Sequence, residues 1–176
     1  VQVVVVPFNF IKAGSSELTL SGTNVFGGTT AVIGGTLTLA GGRALPTSMA
    51  VTIGSAGALK LANSQEIATV SGVGGINLQG NTLTLSGATG SNFGGSISGS
   101  GVLVKSGASV LTLTGTSSFS GGIIQTAGAL QAGNNSAFGT GSLRLGGGRV
   151  SSDSTAARSF NNTAELSGAL TLGDSM

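Results

Sequence analysis

A stretch near the start of the chain recurs 93 residues later, and this internal repeat restricts the fold more than any other feature. Residues 12–46 align without a gap to residues 105–139, and the two copies agree at 13 of 35 positions. The shared positions are Lys12/Lys105, Gly14/Gly107, Ser16/Ser109, Leu18/Leu111, Thr19/Thr112, Leu20/Leu113, Gly22/Gly115, Thr23/Thr116, Phe26/Phe119, Gly28/Gly121, Gly35/Gly128, Leu37/Leu130 and Ala44/Ala137. Glycines that let the chain turn and leucines that pack dominate this set, which is typical of a repeated scaffold.

The composition excludes most enzyme classes. The chain has no cysteine and no histidine, so thiol catalysis, the usual zinc and haem sites and every imidazole-based triad are excluded. The seven basic residues exceed the five acidic ones only slightly and are scattered singly along the chain. Nucleic-acid binding, which needs clustered cations, is therefore not expected. We predict no catalytic residue, no metal ligand and no cofactor.

Short runs of alternating apolar and polar residues predict many short β-strands. The hydrophobic fraction of 39% argues against disorder, although the chain has 33 glycines. The alternating runs are 17–20, 36–39, 51–53, 58–61, 76–78, 82–85, 102–104, 110–113, 129–131, 142–145 and 169–172. No helical periodicity of useful length occurs, and residues 65–70 could form at most one turn. Strands this short, with links too short for helical crossovers, are stable when coils of chain stack on one another.

The spacing of leucines predicts the size of one coil. Six marker leucines recur at broadly similar intervals, and they are Leu18, Leu37, Leu59, Leu83, Leu103 and Leu130. We therefore expect an all-β parallel β-helix, or β-solenoid, of about eight coils of roughly 20–24 residues. The residues expected to point inward are Leu18, Leu20, Leu37, Leu39, Leu83, Leu85, Leu111, Leu113 and Leu130, with the interleaved threonines outward. Glycines are expected at the corners, and Phe26 and Phe119 are expected to pack there.

The first residues suggest a cut point in a longer protein. Residues 3–6 are all valine, but the segment has neither the basic lead-in of a signal peptide nor the roughly 20 apolar residues that span a bilayer. We interpret residues 3–6 as a β-strand, with an exchangeable strand that pairs with another molecule as the alternative, and residues 1–176 as one β-helix segment of a longer chain.

The motifs within the repeat resemble the passenger-associated transport repeat of bacterial autotransporters. The resemblance is carried by residues 104–115, 118–122 and 127–131 in the second copy, and by residues 10–14, 18–26 and 34–39 in the first. The copies lie near residues 10–46 and 102–139, with a degenerate third copy near 83–95, and residues 159–168 look like an inter-repeat segment. One departure is Ile123-Ile124, where the family favours threonine; it indicates either a more adhesive outer face or a strand turned inward.

The resemblance implies a right-handed parallel β-helix in the exported passenger of a Gram-negative surface or secreted protein. It implies a non-enzymatic segment that supports passenger secretion and folding, and our own hypothesis adds cell-surface adhesion or fibre formation. The location implied is extracellular, on the bacterial surface, with the parent chain anchored by an outer-membrane barrel outside this segment. The expected partners are a host or neighbouring cell surface, or further copies joined through the ends of the rod, where uncapped coils expose backbone.

Two other functions stay open on the sequence alone. A carbohydrate-active β-helix enzyme would need clustered acids, and the five carboxylates are Glu17, Glu66, Asp153, Glu165 and Asp174; of these, Asp153 and Glu165 could approach across adjacent coils. An ice-binding solenoid would need a continuous array of threonine pairs, and the candidate pairs are Thr36/Thr38, Thr82/Thr84 and Thr112/Thr114. The glycine-rich residues 72–75 and 99–101 are expected to be turns rather than phosphate loops, because no helix follows them. Residues 134–136 and 161–163 match the N-glycosylation triplet, which arises by chance in chains rich in Asn and Ser.

Overall fold

The computed structural model describes residues 8–154 and 156–173, and within these ranges the protein is all β, with no helix. The predicted strand at residues 3–6 lies outside the described residues. The first nine strands are β1 (Phe10–Lys12), β2 (Glu17–Leu20), β3 (Thr30–Leu39), β4 (Ala50–Leu61), β5 (Gln65–Ile67), β6 (Thr69–Gly72), β7 (Gly75–Asn77), β8 (Thr82–Leu85) and β9 (Ser91–Phe93). The others are β10 (Ile97–Ser98), β11 (Val102–Lys105), β12 (Val110–Leu113), β13 (Ile123–Gln125), β14 (Ala129–Ala132), β15 (Leu143–Leu145), β16 (Gly148–Ser152), β17 (Ala164–Leu166) and β18 (Leu170–Leu172).

The strands wind into a parallel β-solenoid with three faces. Every strand pairing within the described residues is parallel. Face 1 consists of β1, the first part of β3, the first part of β4, β6, β9, β12, β14, β16 and β18. Face 2 consists of β2, the second part of β3, the second part of β4, β7 and β10, and face 3 consists of β5, β8, β11, β13, β15 and β17. The nine strands of face 1 define eight coil-to-coil steps, which confirms the predicted solenoid of about eight coils.

The coils lie at the short end of the predicted length or below it. Paired residues on successive coils are separated by as few as 17 positions, from Ala58 to Gly75, and by as many as 22, from Gly148 to Leu170. The leucine spacing overestimates the coil because the marker leucines do not form one column. Leucines 18, 37 and 59 are in register on face 2, leucines 83 and 103 are in register on face 3, and leucine 130 lies on face 1.

Two strands are much longer than the short runs predicted. The 10-residue β3 and the 12-residue β4 each run from face 1 across a corner onto face 2. A shift in their pairing register falls between Val32 and Gly34, at that corner. The expected short runs are therefore present as the two parts of each strand, with extended backbone continuing through the turn between them.

The interior is a column of aliphatic side chains, as the alternation predicted. Of the nine leucines expected inside, seven are at most 3% exposed, and they are Leu37, Leu39, Leu83, Leu85, Leu111, Leu113 and Leu130. Leu20 is partly buried, whereas Leu18 is 40% exposed, which corrects its assignment to the core. Leu18 lies in the first described coil, where no strand on the N-terminal side covers it. Phe119 is fully buried, and Phe26 is partly buried and stacks on Phe10 with ring centroids 5.7 Å apart.

A buried lysine explains several of the residues that the two copies share. Lys12 and Lys105 are only 5% and 2% exposed. The Lys12 ammonium donates hydrogen bonds to the carbonyl oxygens of Ala13, Gly14 and Gly34, at 2.9, 3.0 and 2.9 Å, and the Lys105 ammonium donates to the carbonyl oxygen of Gly107. Burying an ammonium group removes its bound water, which costs free energy. The hydrogen bonds to carbonyl oxygens offset this cost.

Each buried lysine lies at a corner of the solenoid, which we call a lysine corner. A glycine on the following coil packs against it. Gly35 and Gly128 have φ angles of +65° and +73°, a conformation that L side chains rarely adopt. A Cβ atom at Gly128 would lie 2.4 Å from the Ser109 carbonyl oxygen and 2.7 Å from the Lys105 nitrogen. At Gly35 the corresponding distance to the Lys12 nitrogen is 2.8 Å. These corners account physically for four of the shared pairs, 12/105, 14/107, 16/109 and 35/128.

The two copies occupy different rotational positions around the solenoid axis. Lys12 ends a strand of face 1, whereas Lys105 ends a strand of face 3. The spacing between the copies is therefore not a whole number of coils, and the repeated unit forms the same corner at two different edges of the rod. The sequence repeat and the structural coil therefore have different periods.

Candidate interaction surfaces

The outer side of face 1 is a set of polar ladders. Thr52 and Ser71 occupy paired positions, and their hydroxyl oxygens are hydrogen-bonded at 3.0 Å. Further along, the Thr112 hydroxyl donates to the side-chain oxygen of Gln131 at 2.9 Å. Side chains at equivalent positions on parallel strands lie about 4.8 Å apart, so small polar groups can bond from coil to coil. This surface is polar and uncharged along most of its length.

The outer side of face 2 carries one ionic cluster. The Thr38 hydroxyl donates to the Glu17 carboxylate at 2.5 Å, and the Lys60 ammonium lies 3.6 Å from the same carboxylate oxygen. The hydrogen bond from Thr38, and next the positive charge of Lys60, lower the pKa of Glu17 below its ordinary value of 4.5. The glutamate is thus ionised and engaged at neutral pH.

The outer side of face 3 holds a mixed column with an apolar centre. Residues in register along it are Glu66, Thr84, Val104, Ile124, Arg144 and Glu165. Ile123 points inward and is 1% exposed, whereas Ile124 points outward. The departure from the family pattern therefore places one isoleucine in the core and one on the surface beside Val104. Arg144 and Glu165 close the column with an exposed ion pair of 3.2 Å.

Both ends of the described solenoid expose large apolar side chains. At the N-terminal end Phe8, Ile11 and Val25 are 70%, 61% and 85% exposed, and at the C-terminal end Leu166 and Leu172 are 62% and 70% exposed. The strands at these ends, β1 and β18 on face 1, each have a partner on one side only among the described strands. Unpaired strand edges beside apolar side chains favour the addition of a further strand or coil.

The carboxylates are dispersed over the solenoid. Glu66 and Glu165 share the outer column of face 3 but are five strands apart, or about 24 Å at 4.8 Å per strand. Asp153 pairs with Arg158 at 2.9 Å and Glu165 with Arg144, so the two acids considered as a possible pair are bound to different arginines. Asp174 lies outside the described residues. No group of three or more Asp or Glu residues close enough to hold a metal ion occurs in the part of the chain that the structure describes.

The three threonine pairs lie on three different faces. Thr36 and Thr38 are on face 2, Thr82 and Thr84 are on face 3, and Thr112 and Thr114 are at the end of a face 1 strand. They therefore do not stack into one flat threonine array, which is the arrangement that the ice-binding alternative required.

Sequence reasoning missed two features, the buried lysine corners and a polar cavity near the C-terminal end. The lysines were interpreted as single scattered charges, although both belong to the shared set. The cavity, of about 210 Å³, brings together Asn135, Ser136, Asn161 and Asn162 from different coils. The only signal for it was the pair of Asn-x-Ser/Thr triplets, whose spacing is longer than one coil.

Comparison with known proteins supports the resemblance inferred from the repeat. The model of the passenger-associated-transport-repeat family matches residues 10–39 and 103–132, which fall within the two predicted copies and contain most of β1 to β3 and β11 to β14. The chain is also 38% identical over 89 residues, 49% of its length, to "Adhesin BmaC autotransporter" of Brucella suis biovar 1 (strain 1330). That alignment covers 3% of the relative, so the chain spans a small part of the length of the protein that it matches.

No solved structure gives a significant match to this chain. Among the described residues there is also no helix with the length and apolar character needed to cross a membrane. The motifs in the sequence and the family model both identify the passenger-associated transport repeat, and the parallel β-solenoid is the fold that this resemblance implies. The chain is an all-β parallel solenoid, and two stretches of it match the passenger-associated-transport-repeat family.

Proposed function

We propose that this segment is a non-enzymatic structural part of the exported passenger of an autotransporter-like protein on a bacterial surface. The observation that carries the proposal is the pair of transport repeats, each folded as a buried lysine corner within a parallel solenoid. The similarity to an autotransporter adhesin agrees with this assignment. The dispersed and ion-paired carboxylates are consistent with a scaffold rather than a reaction centre.

The repeats would support secretion by helping the passenger fold one coil at a time. In a solenoid each coil contacts mainly its neighbours, so folding can begin at one place and propagate. The Lys12 corner ties two successive coils together, because the Lys12 ammonium bonds the carbonyl oxygen of Gly34 on the next coil. Each such contact stabilises a newly added coil on the coil already formed.

The solenoid would also project or contribute an adhesive surface. Its faces carry few charges and include the half-buried Val104 and Ile124 on the outer side of face 3, while its ends expose apolar residues beside open strand edges. These ends would continue into further coils of the parent chain or join other copies into a fibre.

A display experiment tests the secretion role. The 176-residue chain would be fused between an export signal and an outer-membrane barrel, and surface exposure measured by protease accessibility on intact cells. Gly35→Ala and Gly128→Ala should lower the displayed fraction, because each added methyl group enters a lysine corner. Gly42→Ala is the matched control, since nothing lies within 4 Å of its added Cβ. Equal display of all the variants would contradict the secretion role.

The same strain tests adhesion. Cells that display the chain should bind more strongly to host cells, or aggregate more, than cells that display the barrel alone. Electron microscopy of the purified chain would show whether copies join end to end. If binding and aggregation match those of the barrel control, and the purified chain stays monomeric, the adhesive and fibre roles are wrong for this segment.

A further inference from the structure

The polar cavity near the C-terminal end is formed by three successive coils. Ser117 lies on the first coil, Asn135, Ser136 and Thr140 lie on the second, and Asn161 and Asn162 lie on the third. Its volume is about 210 Å³, and none of its lining residues is charged or aromatic. Both asparagine triplets of the sequence meet here, although they belong to different coils.

Some of the lining amides are fixed in place by the fold. The Asn162 side-chain nitrogen donates to the carbonyl oxygens of Gly139 and Gly141, at 3.2 and 2.7 Å. The Asn135 side-chain oxygen accepts a hydrogen bond from the backbone nitrogen of Ser159 at 3.2 Å. Each of these side chains is therefore held at one end by the backbone of another coil or loop.

The opposite ends of these groups retain unused hydrogen-bonding capacity. Among the described residues, the Asn135 side-chain nitrogen, the Asn162 side-chain oxygen and the whole Asn161 amide have no hydrogen-bond partner. Ser117 is 6% exposed, and its oxygen accepts a bond from the Ile97 nitrogen at 3.2 Å, which leaves its proton as a donor. Residues with unpaired donors and acceptors thus line one small cavity.

The chemistry of the lining selects the ligand class. A charged ligand would find no counter-charge, and an apolar ligand would strip water from amides without replacing their hydrogen bonds. A hydroxyl group both donates and accepts, so neighbouring hydroxyls on one ring match the mixed amide and hydroxyl lining. The cavity is below the usual range of about 300–1,000 Å³ for drug-sized ligands, and it suits a single ring.

The geometry points to a binding site for one neutral saccharide unit, formed by Ser117, Asn135, Asn161 and Asn162. This site goes beyond the proposed scaffold function and is independent of it, because it would operate on the isolated chain. On a displayed passenger this site would let the bacterial surface bind glycans weakly and reversibly.

The test is a titration of the ¹⁵N-labelled 176-residue chain followed by NMR. The probes are methyl α-glucoside, methyl α-galactoside and methyl β-N-acetylglucosaminide, with glycerol as a non-ring polyol. At least one glycoside should give saturable shifts of the side-chain amides of Asn135, Asn161 and Asn162. Glycerol should give only small shifts that do not saturate.

Asn161→Ala should weaken that binding about tenfold, equivalent to about 1.4 kcal/mol. Because the Asn161 side chain has no partner among the described residues, the variant should unfold at the same urea concentration as the parent. Asn92→Ala, at an exposed asparagine on the outer side of face 1, is the matched control and should bind normally.

Three results would each overturn the site: no saturation by any of the glycosides, equal shifts with glycerol, or equal affinity of the Asn161→Ala variant. Loss of adhesion in the display experiment would not affect this titration. Failure of the titration would likewise leave the display experiment intact, so the two proposals can fail separately.

Discussion

Alanine at Gly128 should destabilise the solenoid because it changes a lysine corner in two ways. The φ angle of +73° at Gly128 costs an L residue about 1–2 kcal/mol. An added Cβ would also lie 2.4 Å from the Ser109 carbonyl oxygen and 2.5 Å from the Gly107 carbonyl oxygen. Relieving such an overlap by moving the backbone costs about 1–3 kcal/mol.

The expected loss is about 3 kcal/mol in the free energy of unfolding. Middle values give about 1.5 kcal/mol for the backbone conformation and about 2 kcal/mol for the overlap. Alanine also restricts the unfolded chain, which offsets about 0.5 kcal/mol of the loss. The measurement is urea unfolding followed by far-ultraviolet circular dichroism, with hydrogen exchange at β12 and β14 to detect opening confined to neighbouring coils.

Three other glycines separate the two contributions. Gly14 has a φ angle of +76° but open space around its Cβ position, so Gly14→Ala should cost about 1 kcal/mol. Gly115 lacks the left-handed conformation, but an added Cβ would lie 2.0 Å from the Gly95 carbonyl oxygen, so Gly115→Ala should cost about 1.5 kcal/mol. Gly42 has neither feature, and Gly42→Ala should change stability by less than about 0.5 kcal/mol.

The order of these variants is the test. If Gly128→Ala is no less stable than Gly42→Ala, neither the left-handed conformation of Gly128 nor its close packing on the preceding coil matters to the stability of the solenoid. If Gly128→Ala and Gly14→Ala are equally destabilised, only backbone conformation matters and the close contact with Ser109 and Gly107 is wrong.

Two further predictions concern the core and the ionic cluster. Leu103→Ala should lower the free energy of unfolding by about 2–5 kcal/mol, because Leu103 is fully buried. Leu172→Ala, at a side chain that is 70% exposed, should be nearly neutral in the same urea titration. Similar losses in the two variants would contradict the assigned core. Thr38→Val should raise the pKa of Glu17 towards 4.5, because the Thr38 hydrogen bond is the largest cause of its lowering. Since a lowered pKa stabilises the fold above the unfolded pKa, this contribution is lost as pH falls below about 4.5 and through the folded value; an NMR titration of Glu17 that is unchanged in the variant would refute the assignment.

The solenoid itself could be predicted because its causes are local. Alternation of period two marks each strand, and runs such as 82–85 and 102–104 became β8 and β11 on one face. Which face a run joins could not be predicted, because strands of all three faces share the same alternation. Leu59 and Leu83 therefore looked like neighbours in one column, although they lie on faces 2 and 3.

The interiors of the corners and the cavity depend on contacts between coils. The shared Lys105 and Gly128 were visible in the sequence, but their contact requires one coil to lie directly on the next. The cavity likewise needs Asn135 and Asn161 on successive coils, at a spacing that local insertions lengthen. Leu18 was assigned to the core by its pattern alone, because its position in the first described coil is a property of the stack.

The most direct test of the coil-upon-coil fold is a set of distances along the outer column of face 3. The chain has no cysteine, so pairs of introduced cysteines can carry spin labels at unique positions for pulsed electron paramagnetic resonance. Glu66 and Arg144 are four strands apart and Glu66 and Glu165 are five, so their backbone separations should be about 19 and 24 Å at 4.8 Å per strand. Measured distances that rise by this single step support the parallel solenoid, whereas distances unrelated to the number of intervening strands would contradict it.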